Sequence, residues 1–195
     1  MMTSRRRMLL SGLGMAAAGS LAERARAAAS TGVDTHGIEH TSVATGRPYD
    51  DLVRGFEAEL GRWDPAVRNR LIETKASWSD LEREVARMAG PRGLMIFTRI
   101  NQGELFALKG EIRQCSLYLV GNPVIADEII SIDVRGSFYV PFRVGLFDQG
   151  GADGAVIAFD RPSSFLASLG RHELTEIGIL LDQKIDAVVN ALRKS

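Results

Sequence analysis

Cysteine is almost absent from this chain: Cys115 is the only one in 195 residues. That excludes an internal disulfide and any zinc site built on a cysteine cluster. Histidine is nearly as scarce, with His36, His40 and His172. No apolar run is long enough, and free enough of glycine, to make a convincing membrane span. Low-complexity tracts and internal repeats are missing as well. Net charge is also lacking, with 24 basic residues against 24 acidic. That balance hides two unlike parts. Residues 1–27 hold five arginines and one glutamate, so the remainder carries 19 basic and 23 acidic residues, a net charge of −4. A mildly acidic domain without a basic stripe has no electrostatic reason to bind nucleic acid. What is present is a chain of average composition, long enough for one domain with a sizeable core.

Residues 1–27 read as an export signal peptide. Arg5, Arg6 and Arg7 precede a mild apolar run over residues 9–21, and Ala25-Arg26-Ala27 forms an A-x-A cleavage pattern. The segment resembles a twin-arginine signal: paired arginines follow Ser4, and glycine and alanine dilute the apolar core. Leu10 stands where such signals usually carry lysine. An ordinary secretory signal or an uncleaved anchor is the alternative. The expected location is the periplasm or another exported compartment. No cysteine lies near the cleavage pattern, which argues against a lipid anchor. Residues 28–37 are small and polar and read as a flexible leader. Residues 38–195 read as a single α+β domain.

Within that domain, residues 38–45 alternate weakly and predict a first strand. Tyr49, Leu52, Val53, Phe56 and Leu60 fall on one face of a helix, with Asp50 and Asp51 at its positive end and Gly61 as its stop. Asp64-Pro65 starts a second helix running to about residue 75. Ser79 and Glu82 have the spacing of a capping box for a third, which Gly90-Pro91 ends. Together these make a helical insert over residues 64–90. Residues 94–100 read as a buried strand, and residues 105–109 as a short piece. A further strand includes Ile112, Cys115, Leu117 and Leu119, and the turn Gly121-Asn122-Pro123 breaks it. Residues 126–133 read as a short helix. Residues 138–147 read as a strand with Pro141 near its start. Residues 148–154 form a hairpin loop, and residues 155–159 return. Leu174, Ile177, Leu181, Ile185, Val188 and Leu192 make a long one-sided stripe on a final helix over residues 173–193, with Asp182, Lys184 and Asp186 on its other faces. This order predicts a mainly antiparallel sheet with helices on one face.

The strand ending in Gly121-Asn122-Pro123, the strand Val140-Pro141-Phe142-Arg143-Val144 and the strand ending before Asp160-Arg161-Pro162 resemble the family catalogued as domain of unknown function 302. The resemblance covers roughly residues 38–193. It implies a two-layer β-α-β(4)-α fold, in which a long C-terminal helix packs on a curved sheet, and often a homodimer. The chain departs from the family pattern in its long helical insert. It also has Arg99-Ile100-Asn101-Gln102 where the family often has a histidine, and Val124-Ile125-Ala126-Asp127-Glu128 after the proline. The family offers no catalytic residue to carry over.

Candidate chemistry is sparse. Cys115 and a histidine would make a nucleophile pair, but Cys115 sits in an apolar strand, where a free cysteine usually packs as a small hydrophobe. His36 and His40, with Asp34 and Glu39 nearby, would bridge a metal; the plainer reading is a solvated tail. The glycine-rich residues 150–154 precede a strand, so they lack the helix end that cradles phosphate. Asp127, Glu128 and Asp133 read as helix caps before acid–base groups. Trp63, Trp78 and Met88 in the charged insert read as anchors or as a protein-partner surface. No catalytic or metal site is assigned. The expected ligand site is Gly121, Asn122 and Pro123, with Cys115. The functional expectation is an exported, non-enzymatic binding or assembly module, taking a small apolar ligand or a protein between the sheet and the long helix. The alternative is a periplasmic enzyme or cofactor-binding protein exported folded, and the cofactor is left open.

Overall fold

Local capping chemistry sets most of the element boundaries. In the computed structural model, which describes residues 34–193, the chain divides after Thr35, and the unit that follows begins at His36. The expectations for residues 1–27, and for the leader up to residue 33, lie outside the described residues. Strand β1 is His40–Ala44, and helix α1 is Tyr49–Glu59, with Asp50 and Asp51 in its first turn and Tyr49, Leu52, Val53 and Phe56 buried. Asp64 caps α2, Pro65–Glu73, by accepting from the Ala66 amide at 2.8 Å. Helix α3 is Trp78–Met88. Its capping box is Ser77 with Asp80, not Ser79 with Glu82: the Asp80 carboxylate accepts from the Ser77 amide at 3.0 Å, and the Ser77 hydroxyl accepts from the Asp80 amide at 3.2 Å. The helix therefore begins one residue before Ser79. That leaves Glu82 to accept from the Trp78 indole at 3.0 Å.

Six strands form one sheet in the order β1-β6-β5-β4-β3-β2. The two-residue β2, Gly61–Arg62, runs parallel to β3, Met95–Asn101, and every other neighbouring pair is antiparallel. Strand β4 is Cys115–Gly121, β5 is Phe142–Phe147 and β6 is Val156–Asp160. Two strand starts differ from the sequence expectation. Ile112 is outside β4 and fully exposed, because the chain folds back on a 3-10 helix, Gln102–Lys109, and Gly103 closes against the Arg113 carbonyl. The stretch before β5 is a second 3-10 turn, Val134–Phe138, capped by Asp133. Pro141 has no amide to donate, and pairing starts only at Phe142.

Alternation then separates two faces. Tyr118, Val120, Phe142, Val144, Leu146, Ile157 and Phe159 point into the core, where α1 and the long C-terminal helix α6, His172–Leu192, cover them. Leu174, Ile177, Leu181, Ile185, Val188 and Leu192 are all buried, so the stripe is spent on the core and leaves no part for a dimer contact. Between the sheet and the long helix lies a core of packed side chains, and the cleft described below meets it at Leu181 and Phe142. Asp182 is not on a solvent face as its neighbours' pattern predicted. It is buried, and accepts from the Ser163 hydroxyl at 2.5 Å and from the Ser163 amide at 3.2 Å, with Arg161 at 3.4 Å. Ser163 belongs to α5, Pro162–Ala167, a short helix not foreseen from sequence. Among the described residues no helix is long and apolar enough to cross a membrane.

Candidate functional site

Gly121-Asn122-Pro123 is a strand-to-helix junction. Asn122 is the N-cap of α4, Pro123–Ile132, and Pro123 takes the first helical position, where its missing amide costs nothing. The helix therefore starts three residues earlier than the expected residue 126. The Asn122 side chain accepts from the Val124 amide at 2.9 Å and donates to the Gly93 carbonyl at 2.9 Å. It thus ties the start of α4 to the turn before β3.

Beside this junction opens a cleft of about 400 Å³. Gly121, Asn122 and Pro123 line it, with Ile125, Ala126, Asp127 and Ile130 of α4 and Val140, Pro141 and Phe142 across from them. Its other wall comes from the aromatic Trp63, Trp78 and Phe97, with Leu81. Phe97 is available because β3 slips register between Ile96 and Thr98, which frees the residue between them from the ladder. Its ring stacks on Trp63 at 5.5 Å between centroids and 27° between planes. Trp78 is half-exposed. Arg68 and Asp127 are the charged lining groups. A second lobe, also about 400 Å³, continues between α2 and α3; it shares Trp63, Arg68, Trp78, Leu81 and Pro123 with the first and adds Lys75.

Cys115 is not part of this site. It stands at the opposite end of β4, paired with Phe147, six residues and so about 20 Å along the strand from Gly121. It is a free, partly buried thiol. His40 donates to the Asp160 carboxylate at 2.9 Å between β1 and β6, and among the described residues no group of three metal-ligating side chains converges. Asp127 and Glu128 are exposed on α4, while Asp133 caps the following turn, where hydrogen bonds from Arg135 lower its pKa to about 2. Arg99, standing where the family often has histidine, donates to Glu57 at 3.2 Å and to Ser116 at 3.3 Å. Tyr118 donates to the same Glu57 at 2.9 Å, and burial together with that carboxylate pushes its phenol well above the ordinary range. This network joins α1 to the sheet and does not reach the cleft lining.

The two tryptophans and Phe97 were not legible as one site. Trp63 and Phe97 are far apart in sequence, and the register slip that brings Phe97 out has no local signature. The available signal was the pair of tryptophans in an insert otherwise rich in charge.

Residues 72–192 match the family described as Domain of unknown function DUF302. The match is narrower than the resemblance over residues 38–193 and leaves β1, α1 and β2 outside it. The fold is similar to the crystal structure of an uncharacterized conserved DUF302 protein from Bacillus stearothermophilus, with a TM-score of 0.55 at 13% identity, over 79% of this chain and 98% of that one. No curated protein matches the chain significantly. With more than half of its residues inside the family match, the chain belongs to the DUF302 family.

Proposed function

We propose that this protein is an exported binding module whose ligand is a small apolar molecule held in the aromatic cleft beside Asn122. The observation that carries the reading is the cleft itself. Two tryptophans and Phe97 face a hollow of about 400 Å³ whose charged groups are Arg68 and Asp127. Small-molecule sites are concave, mostly apolar and furnished with a few placed polar groups, over roughly 300–1,000 Å³. A half-exposed Trp78 held in place by Glu82 is costly to leave in water and favourable to cover. The test is to purify the protein from its native exported fraction, denature it and identify the released small molecules by mass spectrometry. An apolar compound retained by the wild type and lost from Trp78→Ala supports the reading; identical extracts from both defeat it. A coloured or metal-loaded sample would favour the alternative of an enzyme or cofactor protein exported folded.

Export rests on the arginine pair and the A-x-A pattern of residues 1–27. Replacing Arg5 and Arg6 with lysine is expected to block it, and unaffected export would remove the twin-arginine reading. A homodimer is a second reading, through a sheet edge or the exposed apolar residues beside it, since the α6 stripe is buried. Exposed Ile100, Leu105, Leu108 and Phe138 support it. Sedimentation showing a monomer at tens of micromolar would end it. The helical insert reads as the cleft's wall, and a protein partner there would compete with the small ligand.

A further inference from the structure

We infer that the ligand of the cleft is an aromatic acid: a planar ring system lying against Trp63 and Trp78 with an anionic group reaching Arg68 and Lys75. This rests on the reading of the cleft as a small-molecule site and adds the ligand's charge and orientation.

Three observations carry it. First, the balance of charge changes along the groove, with Arg68 shared by both lobes. The first lobe has Asp127 on α4, whereas the lobe between α2 and α3 is lined by Arg68 and Lys75 and by no carboxylate. Second, these two cations are not neutralised as their neighbours are. Arg70 and Arg87 stand against Glu84, and Arg83 is paired with Asp80, all on α2 and α3. Arg68, by contrast, has only the Asn69 side-chain oxygen at 3.1 Å as its partner among the described residues. A cation left without a counter-ion beside indole rings is a ready receptor for a carboxylate or sulfonate. Third, Lys75 is the non-glycine residue with a left-handed backbone among the described residues, at φ 50°. Glycine would take that conformation without strain, so lysine is held there at a cost to stability. That conformation is the C-terminal cap of α2, where the Lys75 and Ala76 amides donate to the Ile72 and Leu71 carbonyls at 3.1 and 2.9 Å, and it sets the point at which Lys75 joins the groove lining.

The ring-binding part follows from geometry. Trp63 is already stacked on Phe97, which fixes its plane. Trp78 is tethered through its indole nitrogen to Glu82 and exposes its surface to both lobes. A flat aromatic ring completes such a wall with little loss of side-chain freedom. A neutral apolar molecule would use the aromatic wall alone, whereas an anionic group on it adds Arg68 and Lys75.

The test uses two dyes with the same ring system. 1-Anilinonaphthalene-8-sulfonate carries an anion; N-phenyl-1-naphthylamine does not. The protein's tryptophans are Trp63 and Trp78, both in the cleft, so energy transfer from tryptophan reports binding, and its loss in Trp78→Ala and Trp63→Ala together with loss of the dye's own emission assigns that binding to the cleft. The sulfonate dye is expected to bind more tightly than the neutral one. The double variant R68Q K75G is expected to weaken the sulfonate dye by roughly tenfold, as two partly exposed ion pairs together supply, and to leave the neutral dye within about twofold. Lys75→Gly relieves the backbone, so a retained or raised melting temperature shows that the variant is folded. Equal binding of both dyes, unchanged in the variant, overturns the acidic ligand and leaves the cleft standing. Absence of energy transfer with either dye removes the cleft as a binding site, and this inference with it.

Discussion

Asn122 is the residue on which the cleft depends most, and its replacement can be worked out from its bonds. In Asn122→Ala the N-cap acceptor of α4 is lost, with its 2.9 Å bond from the Val124 amide. Loss of such a cap costs about 1 kcal/mol. The 2.9 Å donation to Gly93 goes too, leaving a part-buried carbonyl short of a partner. That adds about 1 kcal/mol. The expected total is about 2 kcal/mol, which for a domain of this size lowers the melting temperature by roughly 4–8 °C. Asn122→Asp separates the two contributions. The carboxylate keeps the cap and is favoured by the helix dipole. It cannot donate to Gly93, and it places two oxygens face to face. Its cost is expected to be intermediate, about 1 kcal/mol. Urea unfolding followed by tryptophan fluorescence measures both, provided the denaturant slopes stay equal. Because α4 forms one wall of the cleft, N122A is also expected to weaken any cleft ligand. A cost below about 0.5 kcal/mol for both variants would refute the idea that Asn122 ties α4 to the turn before β3.

Other expectations follow from single contacts. In Gly178→Ala, the new methyl carbon would sit 2.5 Å from the Ser163 Cα, where α6 crosses α5. Backbone cannot yield as a side chain tip does, so a loss of about 1–3 kcal/mol is expected in thermal unfolding, and a neutral result would contradict the close approach. Tyr118 is held neutral by burial and by Glu57, so its folded pKa lies above the unfolded value of about 10. Its contribution is complete below that value and is lost as pH rises through it, so the wild type should lose stability above pH 10 more steeply than Tyr118→Phe; parallel curves would count against it. Asp133 has the opposite sign, with a folded pKa lowered to about 2. Its contribution is present above the ordinary carboxylate range and lost as pH falls from about 4 to 2. Asp133→Asn should flatten that part of the acid limb, and an NMR titration placing Asp133 near 4 would show that Arg135 does not hold it.

The elements that were legible from sequence are those whose signal is local and long. Helices α1 and α6 carry one-sided apolar stripes, and every stripe residue of α6 is buried. Asp64-Pro65 caps α2 as the residue types require. The features that were missed depend on distant partners. Strand β2 is two residues long, too short for periodicity, and exists because Gly61 and Gly90 let two backbones touch; a side chain on Gly61 would strike the Met88 carbonyl. Asp182 breaks its helix's pattern because Ser163 of α5 and Arg161 just before it satisfy its carboxylate. At the site, Gly121-Asn122-Pro123 was readable because turn and cap chemistry are encoded in those three residues. Cys115 was grouped with them only by belonging to the same strand, whose length separates the two ends. Trp63 and Phe97 meet through a register slip that no short window of sequence records.

The two indole N–H signals in a proton–nitrogen correlation spectrum test the central claim most directly. Both arise from residues that line the cleft. On titration with N-phenyl-1-naphthylamine, both are expected to shift saturably with one dissociation constant, together with the amides of Gly121, Asn122 and Val124. Shifts confined to β1, β5 and β6, with both indoles unmoved, would place apolar binding on the open face of the sheet and contradict the account.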